Sequence, residues 1–223
     1  ASGFAARAGQ VAVIPDAHGG LSMAVTGLGK PADHQRGRFL FAEARGALPK
    51  GTYRLISDLS GAALDEAALG WLLSGYRFDR YAKNERPGAE LVAPDGVDAA
   101  RIEAMAAGEA LTRDLINTPA SDMGPPDLEA AARALAEAFG AEIAVITGEA
   151  LLEQNFPMIH AVGRAADRAP RLIDMRWGDA GPRVTLVGKG VCFDTGGRNL
   201  KPGSSMGLMK KDMGGAATVL GLA

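Results

Sequence analysis

The chain has 223 residues, a formal net charge of −2 and a hydrophobic fraction of 47%. This length fits one or two domains, and this composition can supply a globular core. The charge gives no general attraction to nucleic acid or to an anionic membrane, and no apolar stretch approaches the length of a spanning helix. The single cysteine, Cys192, argues against a disulfide scaffold and fits a reducing compartment.

The first part of the chain has the pattern of a small α/β domain. Short apolar runs bounded by turn residues predict strands, whereas Leu64, Ala68 and Leu72 lie at helical spacing. The predicted strands are 11–15, 21–26, 53–57 and 90–93, and the predicted helix is 62–81. We therefore assign residues 1–97 to an N-terminal α/β domain.

A helix over 98–116 is predicted next, and we interpret it as the linker between two domains. Asp98 can cap its start, and the Asn117-Thr-Pro119 sequence ends it because the residue before a proline avoids the helical region. Residues 117–223 then form the first part of a second α/β domain. Its helices and strands alternate, which is typical of a largely parallel sheet. The alternating elements are a helix carrying Leu128, Ala132, Leu135 and Phe139, strands 141–146, 171–177 and 183–187, and short helices near 148–153 and 156–163.

A glycine-rich segment follows the last of these strands and offers the clearest chemistry. It begins with Gly188-Lys-Gly190, at the sheet edge where ligand sites of α/β proteins lie. A phosphate-binding loop is excluded, because that motif places a glycine five positions before the Gly-Lys pair and here Gly181 lies seven before it. A metal site fits better. Asp194 and Asp212 are each followed closely by Gly-Gly, and carboxylates are oxygen ligands suited to Mg, Mn or Zn.

Histidine offers no alternative set of ligands, since His18, His34 and His160 are scattered along the chain. A metal site in the glycine-rich segment must therefore rely on carboxylates. An amine can join them only as a neutral group, and a lysine beside a dication can have its pKa lowered enough for that.

Each residue of this segment also has a structural interpretation. Asp194 can form a turn before Gly-Gly, and Asp212 can be a helix N-terminal charge favoured by the helix dipole. The lysines are by default solvated surface charges and the sulfur-containing side chains are by default packing groups: Lys201, Lys210, Lys211, Cys192, Met206, Met209 and Met213. The residues alone leave the metal site and the structural interpretation open.

The segment closely resembles the leucyl aminopeptidase family, the cytosolic dinuclear metallo-aminopeptidases. The resemblance rests on Val-Gly-Lys-Gly-Val-Cys-Phe-Asp-Thr-Gly-Gly at 187–197, on Lys201, and on Met-Lys-Lys-Asp-Met-Gly-Gly-Ala at 209–216. Two further segments, 114–125 and 160–178, are similar to family sequence. The resemblance is specific from about residue 110 onward and weak before it.

The resemblance implies a role for each matching residue. Lys189 is expected to ligate a metal, Asp194 to bridge two metals, and Asp212 to bind the metal that Lys189 also binds. Lys201 is expected to polarise the scissile carbonyl as the catalytic lysine. Met209 is expected to line the pocket for the substrate's N-terminal side chain.

The resemblance also implies a metal-dependent aminopeptidase that releases N-terminal, leucine-like residues from peptides. The expected cofactors are two divalent ions, Mn or Zn, and a bicarbonate base. The expected assembly is a cytoplasmic homo-hexamer. No membrane partner is expected, and the net charge gives no support for nucleic acid. The family supplies further ligands, and the arginine that holds the bicarbonate, from an Asn-Thr-Asp-Ala-Glu-Gly-Arg segment that these 223 residues lack.

We therefore expect a fragment of a larger enzyme, inactive alone. A second departure from the expected pattern is Arg198-Asn199, which leaves the local substrate contact open. The rival hypothesis is a non-catalytic α/β binding or assembly protein on the same scaffold.

Overall fold

The computed structural model describes residues 3–30, 32–33, 37–85 and 88–223. The chain divides into two compact units, Ala1–Ala110 and Leu111–Ala223. The boundary between them falls within one long helix, Ala99–Asn117, which we label α3. Of the three histidines, His34 lies outside the described residues.

The first unit combines a hairpin, a short parallel pair of strands and helices. Strands β1 and β2 pair in an antiparallel hairpin, and strands β3 and β4 pair in parallel. The elements are β1 (Val11–Pro15), β2 (Leu21–Thr26), α1 (Ala42–Ala47), β3 (Gly51–Tyr53), α2 (Gly61–Ser74), β4 (Ala89–Leu91) and the first part of α3. The predicted helix 62–81 thus ends seven residues earlier than expected.

Trp71 of α2 forms the centre of this unit's core and is 2% exposed. It stacks on Phe41 with ring centroids 5.4 Å apart and packs with Ala44 and Ala89. The early end of α2 has a tertiary cause. Arg45 donates hydrogen bonds to the backbone oxygens of Trp71 and Leu72 in the last turn of α2, where the Ser74 hydroxyl and the Gly75 N–H also donate to them.

The second unit continues from α3 and contains one antiparallel pair of strands. β5 and β6 pair along their whole length, from Glu142 opposite Arg176 to Thr147 opposite Arg171. The elements are α4 (Pro125–Phe139), β5 (Glu142–Thr147), α5 (Ala150–Glu153), α6 (Pro157–Gly163), β6 (Arg171–Arg176), α7 (Gly203–Met206), a 3₁₀ helix (Met209–Met213) and α8 (Gly214–Leu222). The buried core comprises Leu115, Met123, Leu128, Met213 and Ala217.

The α/β fold class is confirmed, but the sheet of the second unit differs from expectation. Its described strands are antiparallel, and the predicted strand 183–187 has no regular secondary structure and belongs to no sheet. Val184 is 79% exposed and Val187 is 90% exposed. Apolar patterning predicts a strand's backbone tendency, whereas the strand itself exists only when a neighbour supplies its hydrogen bonds. Within the described residues, none of the helices has both the length and the hydropathy needed to cross a bilayer.

Candidate metal centre

Two glycines allow the segment around Lys189 to lie against the start of α8. A Cβ atom on Gly188 would come within 2.6 Å of the Ala216 Cα atom, and one on Gly215 within 2.9 Å of the Lys189 nitrogen. Without those carbons, the Ala216 N–H donates a 2.9 Å hydrogen bond to the Lys189 carbonyl. The contact fixes Lys189 beside the 3₁₀ helix that precedes α8.

The Lys189 ammonium lies against the carboxylate of Asp212, at 2.9 Å from each oxygen. It donates its hydrogen bond to Oδ1. The Asp212 side chain is 16% exposed, so this carboxylate is largely withdrawn from water, whereas Lys189 is 58% exposed. Two residues that were expected to share one metal are therefore adjacent.

Asp212 Oδ2 is buried and accepts no hydrogen bond from the part of the chain that the structure describes. Such an atom is costly in a folded protein unless a further partner satisfies it. A divalent cation is a suitable partner, because carboxylate oxygen is a hard ligand. This oxygen lies 2.9 Å from the Lys189 ammonium without a hydrogen bond to it, and a metal that replaced the Lys189 proton would fit the ligand role expected of Asp212.

The other aspartate of the motif, Asp194, begins a left-handed loop. Its Oδ1 atom accepts a 2.8 Å hydrogen bond from the Gly196 N–H, which is the turn-forming role considered from sequence. Positive φ angles follow at Gly196 (78°), Gly197 (73°), Arg198 (49°) and Asn199 (58°). Glycine adopts this conformation without cost, and asparagine tolerates it better than most residues. The loop returns the chain so that the Lys201 N–H donates to the Thr195 carbonyl.

This loop brings Lys201 back onto Asp194. The Lys201 ammonium lies 2.8 Å from Asp194 Oδ2 and 3.0 Å from the Met209 sulfur. Lys201 is 26% exposed, so its charge is partly shielded from water. Asp194 thus uses one oxygen for its turn and the other for the lysine. The turn-forming interpretation is confirmed, and the metal-bridging role stays a prediction.

The charges of the two Lys–Asp pairs influence each other. The hydrogen bond to Asp212 raises the pKa of Lys189 and partial burial opposes it, while the Asp194 carboxylate adds a further increase. The hydrogen bond from Lys201 lowers the pKa of Asp194, with support from the Gly196 N–H and from the charge of Lys189. All four side chains therefore belong to one electrostatic cluster, with Met209 at its edge.

The donor atoms of this cluster fit a divalent metal. Among the described residues, no group of three histidine, cysteine, aspartate or glutamate side chains could hold one. The chain instead offers the carboxylates of Asp194 and Asp212 and the nitrogen of Lys189. A lysine binds a metal only through its neutral nitrogen, so a cation at this position replaces the Lys189 proton.

Cys192 is close in sequence but is a poor nucleophile. Burial, followed by the charge of Asp127, raises the pKa of its thiol to about 11, so it stays protonated at neutral pH. Only the thiolate is reactive. The interpretation of Cys192 as a packing residue fits this environment.

The sequence-based view of Lys210 as a solvated surface charge is wrong. Its side chain is half-buried, and its ammonium lies 3.1 Å from the Asn117 carbonyl and 3.3 Å from the Ile116 carbonyl. Its neighbour Lys211 is exposed, as expected. Nothing in the sequence distinguishes the roles of these adjacent lysines. The orientation of the 3₁₀ helix decides which of them is partly buried and which is exposed.

Besides the contacts of Lys210, a second set of contacts that the sequence analysis did not predict lies at the start of α4. Asp127 accepts hydrogen bonds from the Gly124 N–H at 2.9 Å and from Arg168 at 3.1 Å. Arg168 also donates to the Ser121 carbonyl at 2.6 Å. The sequence does indicate the first bond, because Asp127 lies three residues after the N-cap Gly124. No local sequence pattern indicates the second bond, because Arg168 lies 41 residues from Asp127 in the sequence.

Comparison with known proteins identifies the family of this chain. The family model described as cytosol aminopeptidase family, catalytic domain, matches residues 110–223, and that described as M17 aminopeptidase, N-terminal domain, matches residues 1–94. The chain belongs to the cytosol aminopeptidase family. The family resemblance expected from the glycine-rich segment is thereby confirmed.

Individual members of the cytosol aminopeptidase family are similar over most of this chain. A probable cytosol aminopeptidase from Chelativorans sp. is 37% identical over 223 aligned residues, covering 90% of this chain and 45% of the relative. One from Rhizobium rhizogenes is 39% identical over 180 residues, covering 73% and 36%. The chain therefore spans less than half the length of these curated relatives.

Solved structures show the same fold. The cytosol aminopeptidase from Coxiella burnetii has a TM-score of 0.89 and 42% identity, covering 99% of this chain and 48% of that one. The bottromycin maturation enzyme BotP, in complex with Mn, has a TM-score of 0.83 and 34% identity, covering 98% and 50%. The α/β architecture is thus that of cytosol aminopeptidases.

Proposed function

We propose that the full-length protein carrying this chain is a metal-dependent aminopeptidase that releases N-terminal residues from peptides, with a leucine-like preference. The observation that carries the proposal is the clustering of Lys189, Asp194, Lys201 and Asp212 into two adjacent Lys–Asp pairs. Membership of the cytosol aminopeptidase family supports it. The solved structure of BotP in complex with Mn supports a divalent metal as cofactor.

The proposed metal centre is dinuclear. Asp194 would be shared between the two metals, and Lys189 and Asp212 would hold one of them, as the family resemblance implies. The bound ions, Mn or Zn, supply Lewis acidity and a nucleophilic water. The carboxylates of this chain hold the cations together, because a shared negative charge offsets the repulsion between them.

Lys201 is the proposed catalytic lysine. Its ammonium is already held by Asp194 and packed against the Met209 sulfur, so its position is set before substrate arrives. Negative charge develops on the scissile carbonyl oxygen during attack, and a fixed cation beside that oxygen stabilises it. Met209 is the proposed apolar wall of the pocket for the substrate's first side chain, since its thioether adapts to aliphatic groups.

The remaining parts of the proposal concern the whole protein. The linker helix 98–116 separates the N-terminal domain 1–97 from the catalytic part 117–223. Further metal ligands and a bicarbonate base come from sequence outside these 223 residues. The proposed assembly is a homo-hexamer, and the proposed location is the cytoplasm, in keeping with the word cytosol in the names of the relatives.

Hydrolysis of leucyl-4-nitroanilide by the full-length protein tests the proposal. We expect metal-dependent release of nitroaniline that is abolished by chelation and restored by Mn²⁺ or Zn²⁺. The N-acetylated substrate is the matched control, because an aminopeptidase requires the free amine. Equal cleavage of both substrates would contradict an exopeptidase. Metal binding without turnover would instead favour the non-catalytic binding or assembly protein.

A further inference from the structure

Lys210 connects the 3₁₀ helix Met209–Met213 to the C-terminal end of α3. Its ammonium lies 3.3 Å from the Ile116 carbonyl, 3.1 Å from the Asn117 carbonyl and 3.4 Å from Asn117 Oδ1. The last carbonyls of a helix have no partner within the helix, and its C-terminus favours a positive charge. Lys210 therefore caps α3 from a distant part of the chain.

The position of Lys210 in its own helix gives this contact a second consequence. Met209 precedes it and touches Lys201, while Asp212 follows it by two residues and pairs with Lys189. A rotation of this short helix about its axis would move both of those site residues together. Whatever fixes the rotation fixes both halves of the cluster.

The apolar anchor of the 3₁₀ helix does not supply such a constraint alone. Met213 is fully buried in the core of the second unit and sets the depth of the helix. Apolar burial is non-directional, and a methionine side chain adapts to several arrangements. The hydrogen bonds of Lys210 are directional, and they join the helix to a fixed point on α3.

We propose that Lys210 is a positioning residue of the metal centre, which orients Asp212 and Met209 by anchoring the 3₁₀ helix to the end of α3. This inference rests on the proposed function, since it concerns the metal that Asp212 and Lys189 bind. Groups that orient metal ligands typically change metal affinity about 10–100-fold when they are removed.

The test is calorimetric titration of Mn²⁺ into the metal-free, full-length protein, with hydrolysis of leucyl-4-nitroanilide measured in parallel. We expect Lys210→Met to weaken binding of one Mn²⁺ about 10–100-fold. Lys210→Arg should restore affinity to within about threefold of wild type, because a guanidinium can also donate to carbonyls and keeps the charge. Lys211→Met is the matched control and should leave affinity unchanged, because its side chain is exposed.

A second control distinguishes a positioning role of Lys210 from a merely structural one. Thr112 of α3 donates a 3.1 Å hydrogen bond to the Ala217 carbonyl, so Thr112→Val also removes a contact between α3 and the C-terminal segment. We expect Thr112→Val to lower the melting temperature while Mn²⁺ affinity stays near wild type. If Lys210→Met behaves in the same way, Lys210 is structural only and the inference is overturned. Should Lys210→Met fail to fold, Lys210→Gln decides by the same measure.

Failure of the proposed function has a different signature. A wild-type protein that binds Mn²⁺ but does not hydrolyse the anilide would contradict the aminopeptidase, while the affinity difference between Lys210→Met and Lys211→Met would still decide the positioning role. A wild-type protein that binds no Mn²⁺ would contradict both.

Discussion

Lys189 and Asp212 lie 23 positions apart in sequence, yet the ammonium of one is 2.9 Å from both carboxylate oxygens of the other. The backbone contact between Lys189 and Ala216, possible only because Gly188 and Gly215 lack side chains, brings them together. A largely buried carboxylate with one oxygen free of hydrogen bonds is thus presented beside a lysine. The glycine-rich segment thereby places Asp212, a candidate metal ligand, beside Lys189.

Replacement of Lys201 should separate catalysis from metal binding. In the full-length protein, we expect Lys201→Ala to lower kcat by about 10²–10³, the usual cost of losing one group that stabilises an oxyanion. Metal content should stay at the wild-type level, because Lys201 contacts Asp194 and Met209 and is not a proposed ligand. Steady-state kinetics and elemental analysis check both statements. Loss of bound metal would reassign Lys201 as a ligand or structural residue.

The isolated 223-residue chain should be inactive. We expect no turnover of aminoacyl anilides even with added Mn²⁺ or Zn²⁺, because these residues include three of the proposed ligands but not the Asn-Thr-Asp-Ala-Glu-Gly-Arg segment expected to supply the others and to hold the bicarbonate. The full-length protein assayed at equal concentration is the control. Turnover of the isolated chain at an ordinary enzymatic rate would show that the proposed centre needs nothing outside these residues.

The close approach at Gly188 predicts a sharp difference between two neighbouring glycines. A Cβ on Gly188 would lie 2.6 Å from both Ala216 Cα and the Gly215 oxygen, whereas one on Gly190 would make ordinary contact with Leu128 Cδ2 at 3.4 Å. Gly188→Ala should therefore destabilise the protein by about 1–3 kcal/mol, as overpacking does. Gly190→Ala, the matched control, should be tolerated. Urea unfolding measures the stability of both variants. Equal stabilities would show that the segments around Gly188 and Ala216 can move apart without a cost in free energy.

The ion pair between Glu129 and Arg171 predicts a pH dependence of stability. Hydrogen bonds from Arg133 and then Arg171 lower the pKa of Glu129, with burial acting in the opposite direction. A carboxylate whose pKa is lower in the folded state stabilises the protein above its unfolded pKa, and the contribution is lost as pH falls through the folded pKa. Glu129→Gln should therefore cost about 1–3 kcal/mol at pH 7, and the cost should shrink below about pH 4.

The matched control for this change is Glu137→Gln, on the exposed side of the same helix. It should leave the pH profile of the unfolding free energy unchanged. A difference between Glu129→Gln and wild type that is constant from pH 7 to about pH 3 would contradict the lowered pKa of Glu129.

Local patterns in the sequence predict much of the fold. The hairpin β1–β2, the long helix α3 and the amphipathic helix α4 appear within a few residues of their predicted positions. The differences have tertiary causes. Helix α2 ends where Arg45 donates a hydrogen bond to the Trp71 carbonyl. The segment 183–187 forms no strand, because no neighbouring strand among the described residues pairs with it.

The site shows the same division between local and tertiary information. The spacing of Lys189, Asp194 and Asp212 identified the family, because these residues lie within two short segments whose glycines permit close backbone contacts. The sequence did not predict which partner each of these side chains contacts. Lys210 and Lys211 are chemically identical neighbours, and only the orientation of the 3₁₀ helix places one of them against α3.

Metal stoichiometry tests the central claim, a dinuclear centre with Asp194 shared between both ions. Full-length wild type, Asp194→Ala and Asp212→Ala are dialysed and analysed for bound metal. We expect two ions per subunit in wild type, weakened binding at both sites in Asp194→Ala because the repulsion at about 3.5–4 Å is no longer offset, and loss mainly of one ion in Asp212→Ala. Two tightly bound ions retained by Asp194→Ala would contradict the bridging role and leave Asp194 as a turn-forming residue.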